Sequence, residues 1–173
     1  MKIPERTPAS LDGLREFIKY VKDNYDIKTV VEIGCWTGIS SVEFAKNFDT
    51  VYCIDPWSPT DGINTEYDML EVERMFNHRI GTYENVYKMR HTSRRASELL
   101  MDLKADMVYI DGCHEYDAVR EDIALWEPKI TKLVTGHDYW PKRFDGVIKA
   151  VDEILGKPEK IFPDTSWLVR KKT

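Results

Sequence analysis

An acid and two glycines in the run Glu32-Ile33-Gly34-Cys35-Trp36-Thr37-Gly38 stand where a short apolar stretch gives way to a helical pattern. Gly34 allows a tight turn, and Gly38 allows the next helix to approach the sheet. Asp55 closes a second apolar stretch, 23 residues after Glu32. A carboxylate there can accept hydrogen bonds from the vicinal hydroxyls of a ribose. The pattern is E-x-G-x-x-x-G, not the G-x-G-x-x-G that cradles a pyrophosphate. Together the two acids and the glycine turn point to a nucleoside cofactor. Taken singly, Gly34 only turns the chain and Asp55 only caps a loop.

A second set of polar residues ends two later stretches: Asp111, His114, and the pair His137-Asp138. If those stretches are adjacent parallel strands, the residues converge on one crevice, where polar groups without a role are costly to bury. Two carboxylates are hard ligands suited to Mg²⁺ or Ca²⁺. An imidazole favours softer ions, so His137 leaves three options open: a softer metal, a side chain aimed elsewhere, or no metal. The neutral imidazole of His114 can accept a hydroxyl proton near neutral pH. The plainer readings are that Asp111 and Asp138 cap the following turns and that His114 bonds a carboxylate. His78 reads as a solvated helix residue. Cys35, Cys53 and Cys113 lack zinc-site spacing and read as small hydrophobes.

These positions depend on elements that apolar periodicity predicts. Leu11, Leu14, Ile18, Val21 and Tyr25 recur at helical spacing, with Ser10 as N-cap. Residues 29–34 and 50–55 are short and β-branched, as in buried strands, and Ile39, Val42 and Ala45 mark a helix between them. After a turn-rich stretch, Leu70, Val72, Met75 and Phe76 predict a helix capped by Thr65, with Asp68 three residues later. Strands follow at 86–91, 106–111 and 132–137. Between them lie helices at Ala96–Leu103, capped by Ser93, and at Tyr116–Trp126, ending before Pro128. Val147 to Leu155 form a helix closed by Gly156, and two strands finish the chain. Such alternation predicts an α/β fold, a doubly wound and mostly parallel sheet with helices on both faces. Ligands of such sheets bind beyond the carboxyl ends of the strands.

Composition narrows the class. The chain has 173 residues, with 25 Lys and Arg against 30 Asp and Glu, so no basic excess marks a nucleic-acid partner. A chain of this length buries roughly 70% of its unfolded surface, enough for a core without staples. No apolar run reaches the ~20 residues of a membrane span, and the start lacks a signal-peptide core. Three cysteines cannot all pair, which fits a reduced, cytoplasmic protein. Residues 1–173 form a single predicted domain, with an N-terminal helix in 1–26 and an inserted helix and loop at 57–83. With no separate substrate domain, specificity falls to that insert, to Tyr139–Phe144, or to a second copy of the chain. The insert serves equally as acceptor pocket or oligomer contact.

VVEIGCWTG followed by YCIDPW resembles motif I and the acidic second motif of class I S-adenosylmethionine-dependent methyltransferases. RHTSRRASELL resembles the segment that meets the adenine. DMVYIDGCHEYDAVREDIALWEPKI, KLVTGHDYW and GVIKAVDEIL are similar to one branch: the macrocin- and mycinamicin-type sugar O-methyltransferases and relatives of the cephalosporin-hydroxylase-like group. The resemblance runs from about residue 10 to the C-terminus. It implies a seven-stranded sheet of order 3-2-1-4-5-7-6 with the last strand antiparallel.

The resemblance also implies roles. Glu32 and Gly34 would flank the methionine part of the cofactor, and Trp36 and Gly38 would also bind the cofactor. Asp55 would bind the ribose, and Ser93 would lie beside the adenine with Thr92 or His91 near it. Trp57 would cover the adenine or ribose, or simply anchor its loop. Asp111 would border cofactor and acceptor, and Asp111, His137 and Asp138 align with the positions that hold a divalent metal, Mg or Mn, in relatives. His137 departs from the carboxylate more usual there. His114 lies at the offset of the proposed general base, with Asp111 beside it in catalysis. The implied activity is methyl transfer to a sugar or natural-product hydroxyl, a metal lowering the hydroxyl pKa where one is bound. Two alternatives stand beside it: a dinucleotide-dependent oxidoreductase, and a non-catalytic cofactor-binding relative.

Overall fold

The computed structural model describes residues 2–59 and 66–171. Thr7 starts the first helix: its hydroxyl accepts from the Ser10 amide at 3.2 Å, and Pro8 fits the first turn because that turn needs no N–H from it. The N-cap is therefore Thr7 and not Ser10. The elements are α1 (Pro8–Asn24), β1 (Thr29–Ile33), α2 (Ile39–Ala45), β2 (Thr50–Ile54), α3 (Met69–Ile80), β3 (Val86–Met89) and α4 (Ser93–Leu99). β4 (Ala105–Ile110), α5 (Tyr116–Trp126), β5 (Ile130–Gly136), α6 (Asp145–Ile154), β6 (Lys160–Ile161) and β7 (Trp167–Arg170) complete them. Two further caps shift. Asp68 itself caps α3, accepting from Leu70 and Glu71, while Thr65 lies outside the described residues. Thr92 caps α4, so Ser93 is already its first residue.

The seven strands form one sheet in the order β3-β2-β1-β4-β5-β7-β6, with β7 antiparallel to both neighbours. The doubly wound prediction and its strand order hold. One face carries α1, α2 and α3 through Leu14, Phe17, Phe44, Val72 and Phe76; the other carries α4, α5 and α6 through Ala96, Val119, Ile123, Trp126 and Val151. Burying a side chain such as Phe17 or Phe44 contributes roughly 1.5–3 kcal/mol. That driving force holds the two helical layers on the sheet.

Register carries this packing to the site. Ile33 pairs with both Ile54 and Ile110, and Ile110 pairs with Gly136. Beyond these pairs Gly34 N–H donates to Ile54 O at 2.9 Å, Asp111 N–H to Ile33 O at 2.8 Å, and His137 N–H to Ile110 O at 3.0 Å. Gly34, Asp55, Asp111 and His137 therefore leave the sheet side by side. Among the described residues no helix is long and apolar enough to cross a membrane.

Candidate active site

The turn after β1 is built for close approach. Gly34 has φ +83°, and a Cβ there would lie 2.2 Å from the Asp111 carbonyl oxygen. Trp36 and Gly38 also have positive φ. A Cβ on Gly38 would meet the Phe76 ring at 2.9 Å, so Gly38 makes room for α3 rather than for the sheet. Asp55 holds the turn together. Its Oδ2 accepts from the Cys35 and Trp36 amides at 3.0 Å each, and its Oδ1 from the Trp57 amide at 2.7 Å. A carboxylate offers roughly four acceptor positions, so three are already used and about one remains for a ligand. Burial nevertheless pushes the Asp55 pKa up, against these three bonds.

Glu32 is fully buried and turned under α2, where its two oxygens accept from Ser40 and Ser41 hydroxyls at 2.5 Å. Burial raises its pKa to about 7, against both serine bonds. The acid of the first motif thus ties β1 to the first turn of α2. Ser40 and Ser41 were missed in the sequence reading, although two adjacent serines opening a helix just after the glycine turn are a usable signal. Trp57 is 1% exposed and packs 4.6 Å from the Phe76 ring centroid, its indole N–H donating to Trp36 O. Of the two readings offered for it, this burial supports the loop anchor. Ser93 accepts from Trp126 Nε1 at 2.9 Å and bonds Asp122, whose pKa burial raises to about 6.

The second set of residues does converge. His114 Nε2 lies 2.7 Å from Asp138 Oδ2, with the His114 ring centroid 4.4 Å from that of Phe144. His137 Nδ1 lies 3.2 Å from the other Asp138 oxygen and 3.4 Å from Asp111. Burial works against charge on His114, yet the hydrogen bond and charge of Asp138 raise its pKa above the ordinary value. Burial likewise opposes ionised Asp138, but bonds from His114 and His137 hold it well below the usual carboxylate range.

Arg6, which the sequence reading passed over, enters this cluster. Its Nη2 donates to Asp111 Oδ2 at 2.6 Å; its Nη1 lies 3.1 Å from His137 Nε2 and 3.5 Å from Asp164 Oδ2. Nε2 of His137 thus faces Arg6, and Nδ1 faces the Asp111 and Asp138 carboxylates. Burial opposes charge on the ring, as Arg6 does, but the charges and hydrogen bonds of Asp111 and Asp138 outweigh both and raise the His137 pKa well above the ordinary imidazole value. Ser166 and Tyr109 complete the floor, Ser166 Oγ lying 2.8 Å from both Tyr109 Oη and Asp164 Oδ2. Asp111, His114 and Asp138 offer ligand atoms within 4.8 Å of one another. His137, expected in that set, has its Nε2 taken by Arg6.

A profile of the methyltransferase-domain family matches residues 31–139, well over half of the chain. The chain belongs to that family, and the motif resemblance to class I S-adenosylmethionine-dependent methyltransferases holds at that level. The oxidoreductase alternative falls with that membership. A search of curated proteins found no match. Solved structures share the fold. NovP, an O-methyltransferase, aligns with a TM-score of 0.67 at 16% identity, over 94% of this chain and 79% of its own. CalS11, a TDP-rhamnose 3'-O-methyltransferase of calicheamicin biosynthesis, aligns at 0.63 and 13%, over 95% and 78%. An O-methyltransferase from Bacillus cereus in complex with SAH aligns at 0.65 and 11%, over 97% and 83%.

Proposed function

We propose that the protein transfers a methyl group from S-adenosylmethionine to a hydroxyl of a small acceptor such as a sugar or natural product, with His114 as general base. The observation that carries this reading is the His114–Asp138 pair, set at the lip of the crevice beside the glycine turn. When bound, S-adenosylmethionine supplies a methyl already activated on a sulfonium. The chain then has to align an oxygen with that carbon and remove its proton. His114 Nε2 donates to Asp138, which leaves Nδ1 to take the proton, and the Asp138 carboxylate stabilises the imidazolium so formed. Gly34, Trp36 and Gly38 shape the cofactor turn, and the remaining acceptor position of Asp55 suits one ribose hydroxyl. Thr92 and Ser93, at the end of β3, are assigned to the adenine side, and Asp111 to the border between cofactor and acceptor.

The acceptor side combines the segment about α3 with Trp140 and Phe144, whereas Tyr139 is buried with its hydroxyl on Asp152. Aromatic surfaces of this kind suit the face of a sugar or a phenol. The same segment serves as an oligomer contact if a second chain closes the pocket. Calorimetry with S-adenosylmethionine should show micromolar or tighter binding. His114→Ala should keep that binding and lose 10²- to 10⁴-fold in turnover with a hydroxylated acceptor, the usual contribution of a general base. Unchanged turnover in this variant would remove His114 as the base. Tight cofactor binding with no acceptor in a broad hydroxyl library would favour the non-catalytic alternative.

A further inference from the structure

We propose that Arg6, carried across the strand ends by residues 2–7, is the resident cation of the acidic crevice and keeps divalent metal out of the Asp111, His114 and Asp138 cluster. This concerns the cluster used by the proposed reaction, and rests on that reading only for its consequence in catalysis.

Three observations carry it. First, the donor set itself suits a divalent ion, since two carboxylates and an imidazole lie within 4.8 Å of one another. What opposes an ion is the guanidinium, which donates to Asp111 Oδ2 at 2.6 Å. An ion held through either Asp111 oxygen would sit beside that guanidinium, a second positive charge in the same crevice. Second, Arg6 does not hang in solvent. Its side chain is 12% exposed, and it also faces the fully buried Asp164 carboxylate at 3.5 Å. Removing it would leave that acid with only its Ser166 bonds and the more distant His137. Third, the segment that carries Arg6 is fixed on both sides. Trp36 Nε1 donates to Pro4 O at 2.9 Å, Glu5 pairs with Arg79, which also donates to Thr37 O at 2.7 Å, and Thr7 caps α1. Trp36, Thr37 and α3 are also the walls of the cofactor turn, so the same strap spans both halves of the crevice.

The chain thus supplies, from its own N-terminal segment, the positive charge that an ion would otherwise supply to Asp111. Metal-free protein should then retain its affinity for S-adenosylmethionine, with Asp111 held by Arg6.

Electron paramagnetic resonance of Mn²⁺ tests this on the full chain without substrate. Wild type should leave added Mn²⁺ free, whereas Arg6→Gln should bind one ion at least tenfold more tightly. Adding Asp111→Asn to Arg6→Gln should abolish the gain. Arg6→Lys, which keeps the charge, should exclude Mn²⁺ as wild type does. Should Arg6→Gln fold poorly, Arg79→Ala loosens the Glu5 anchor of the strap and should give a smaller gain of the same kind. One-to-one Mn²⁺ binding by wild type as tight as by Arg6→Gln would overturn the proposal, and so would no binding by either or binding by Arg6→Lys. Calorimetry with S-adenosylmethionine on the same samples separates the two readings, because failure of cofactor binding would sink the proposed function while leaving the Mn²⁺ comparison to decide Arg6.

Discussion

Replacing Glu32 by Gln tests whether the first-motif acid is a brace or a cofactor ligand. In the folded chain Glu32 titrates near 7, against an ordinary 4.5, because burial outweighs the bonds from Ser40 and Ser41. Asp111 adds to the shift and Arg6 opposes it. A raised folded pKa means that the native state binds the proton more tightly than the unfolded chain. The associated stability is complete below pH 4.5 and disappears as pH rises through 7. The gap of about 2.5 units, at roughly 1.36 kcal/mol each, amounts to about 3 kcal/mol. Gln mimics the protonated acid: its amide oxygen accepts from one serine and its NH₂ donates to the other. Urea unfolding of both proteins from pH 4.5 to 8 should therefore show near-equal stability at the acid end. The variant should gain about 3 kcal/mol over wild type at the other, a midpoint difference of about 1.5 M for a slope near 2 kcal/mol/M. Asp122, whose raised pKa owes nothing to Glu32, titrates alike in both chains and cancels in the difference. A difference that stays flat with pH refutes the argument. Glu32→Gln should also bind S-adenosylmethionine within a few-fold of wild type, since the side chain faces α2; loss of binding would make Glu32 a ligand of the methionine part.

Two further substitutions separate geometry from chemistry. Gly34→Ala places a Cβ 2.2 Å from a backbone oxygen at φ +83°, whereas Gly156→Ala has a similar φ but nothing within 4 Å. The first should cost about 3–4 kcal/mol and the second about 1–2 kcal/mol in urea unfolding; equal costs would contradict the close approach of β1 and β4. Asp55→Asn turns an NH₂ toward at least one of three backbone amides, costing about 1–3 kcal/mol by thermal melting, with weaker cofactor binding as the turn opens. A variant as stable as wild type that loses binding would make Asp55 chiefly a ribose ligand.

The strand ends were legible because β1, β2, β4 and β5 are short β-branched runs buried within the sheet, a pattern that few other structures produce. Once they were placed, Asp55, Asp111, His137 and Asp138 had to leave the sheet together. Helix caps were less legible. Thr7, Asp68 and Thr92 each displaced or pre-empted a predicted cap, because several Ser, Thr and Asp residues near each helix start could serve and tertiary packing chose among them. Trp57 was ambiguous since a Trp beside a ligand loop and a Trp under it have the same sequence context; burial against Phe76 separates them. Arg6 was invisible. It lies 105 positions from Asp111 and between two prolines, outside any periodic segment, and its partner Asp164 sits in a turn near the other end of the chain. No local rule joins such residues.

Their joining fixes which side of the acidic cluster is open. Arg6, His137 and Asp164 close the Asp111–Asp138 pair on one flank, where the His137 side chain is 14% exposed and that of Asp164 is fully buried. On the other flank His114 is 42% exposed and rests on Phe144. In the proposed reaction an acceptor hydroxyl would approach from the His114 and Phe144 side, with Arg6 holding Asp111 from behind. The division has a chemical consequence. A cation behind the acids steadies them without drawing His114 away from Asp138, so the imidazole keeps its orienting carboxylate on Nε2, and in the proposed reaction Nδ1 is left for the acceptor proton. A dication seated among Asp111, His114 and Asp138 would instead take His114 Nε2, which would leave the ring's proton on Nδ1 and no free lone pair there to accept another. Under both proposals, excluding metal and retaining a histidine base would be one constraint, which Arg6 would satisfy from the N-terminal segment.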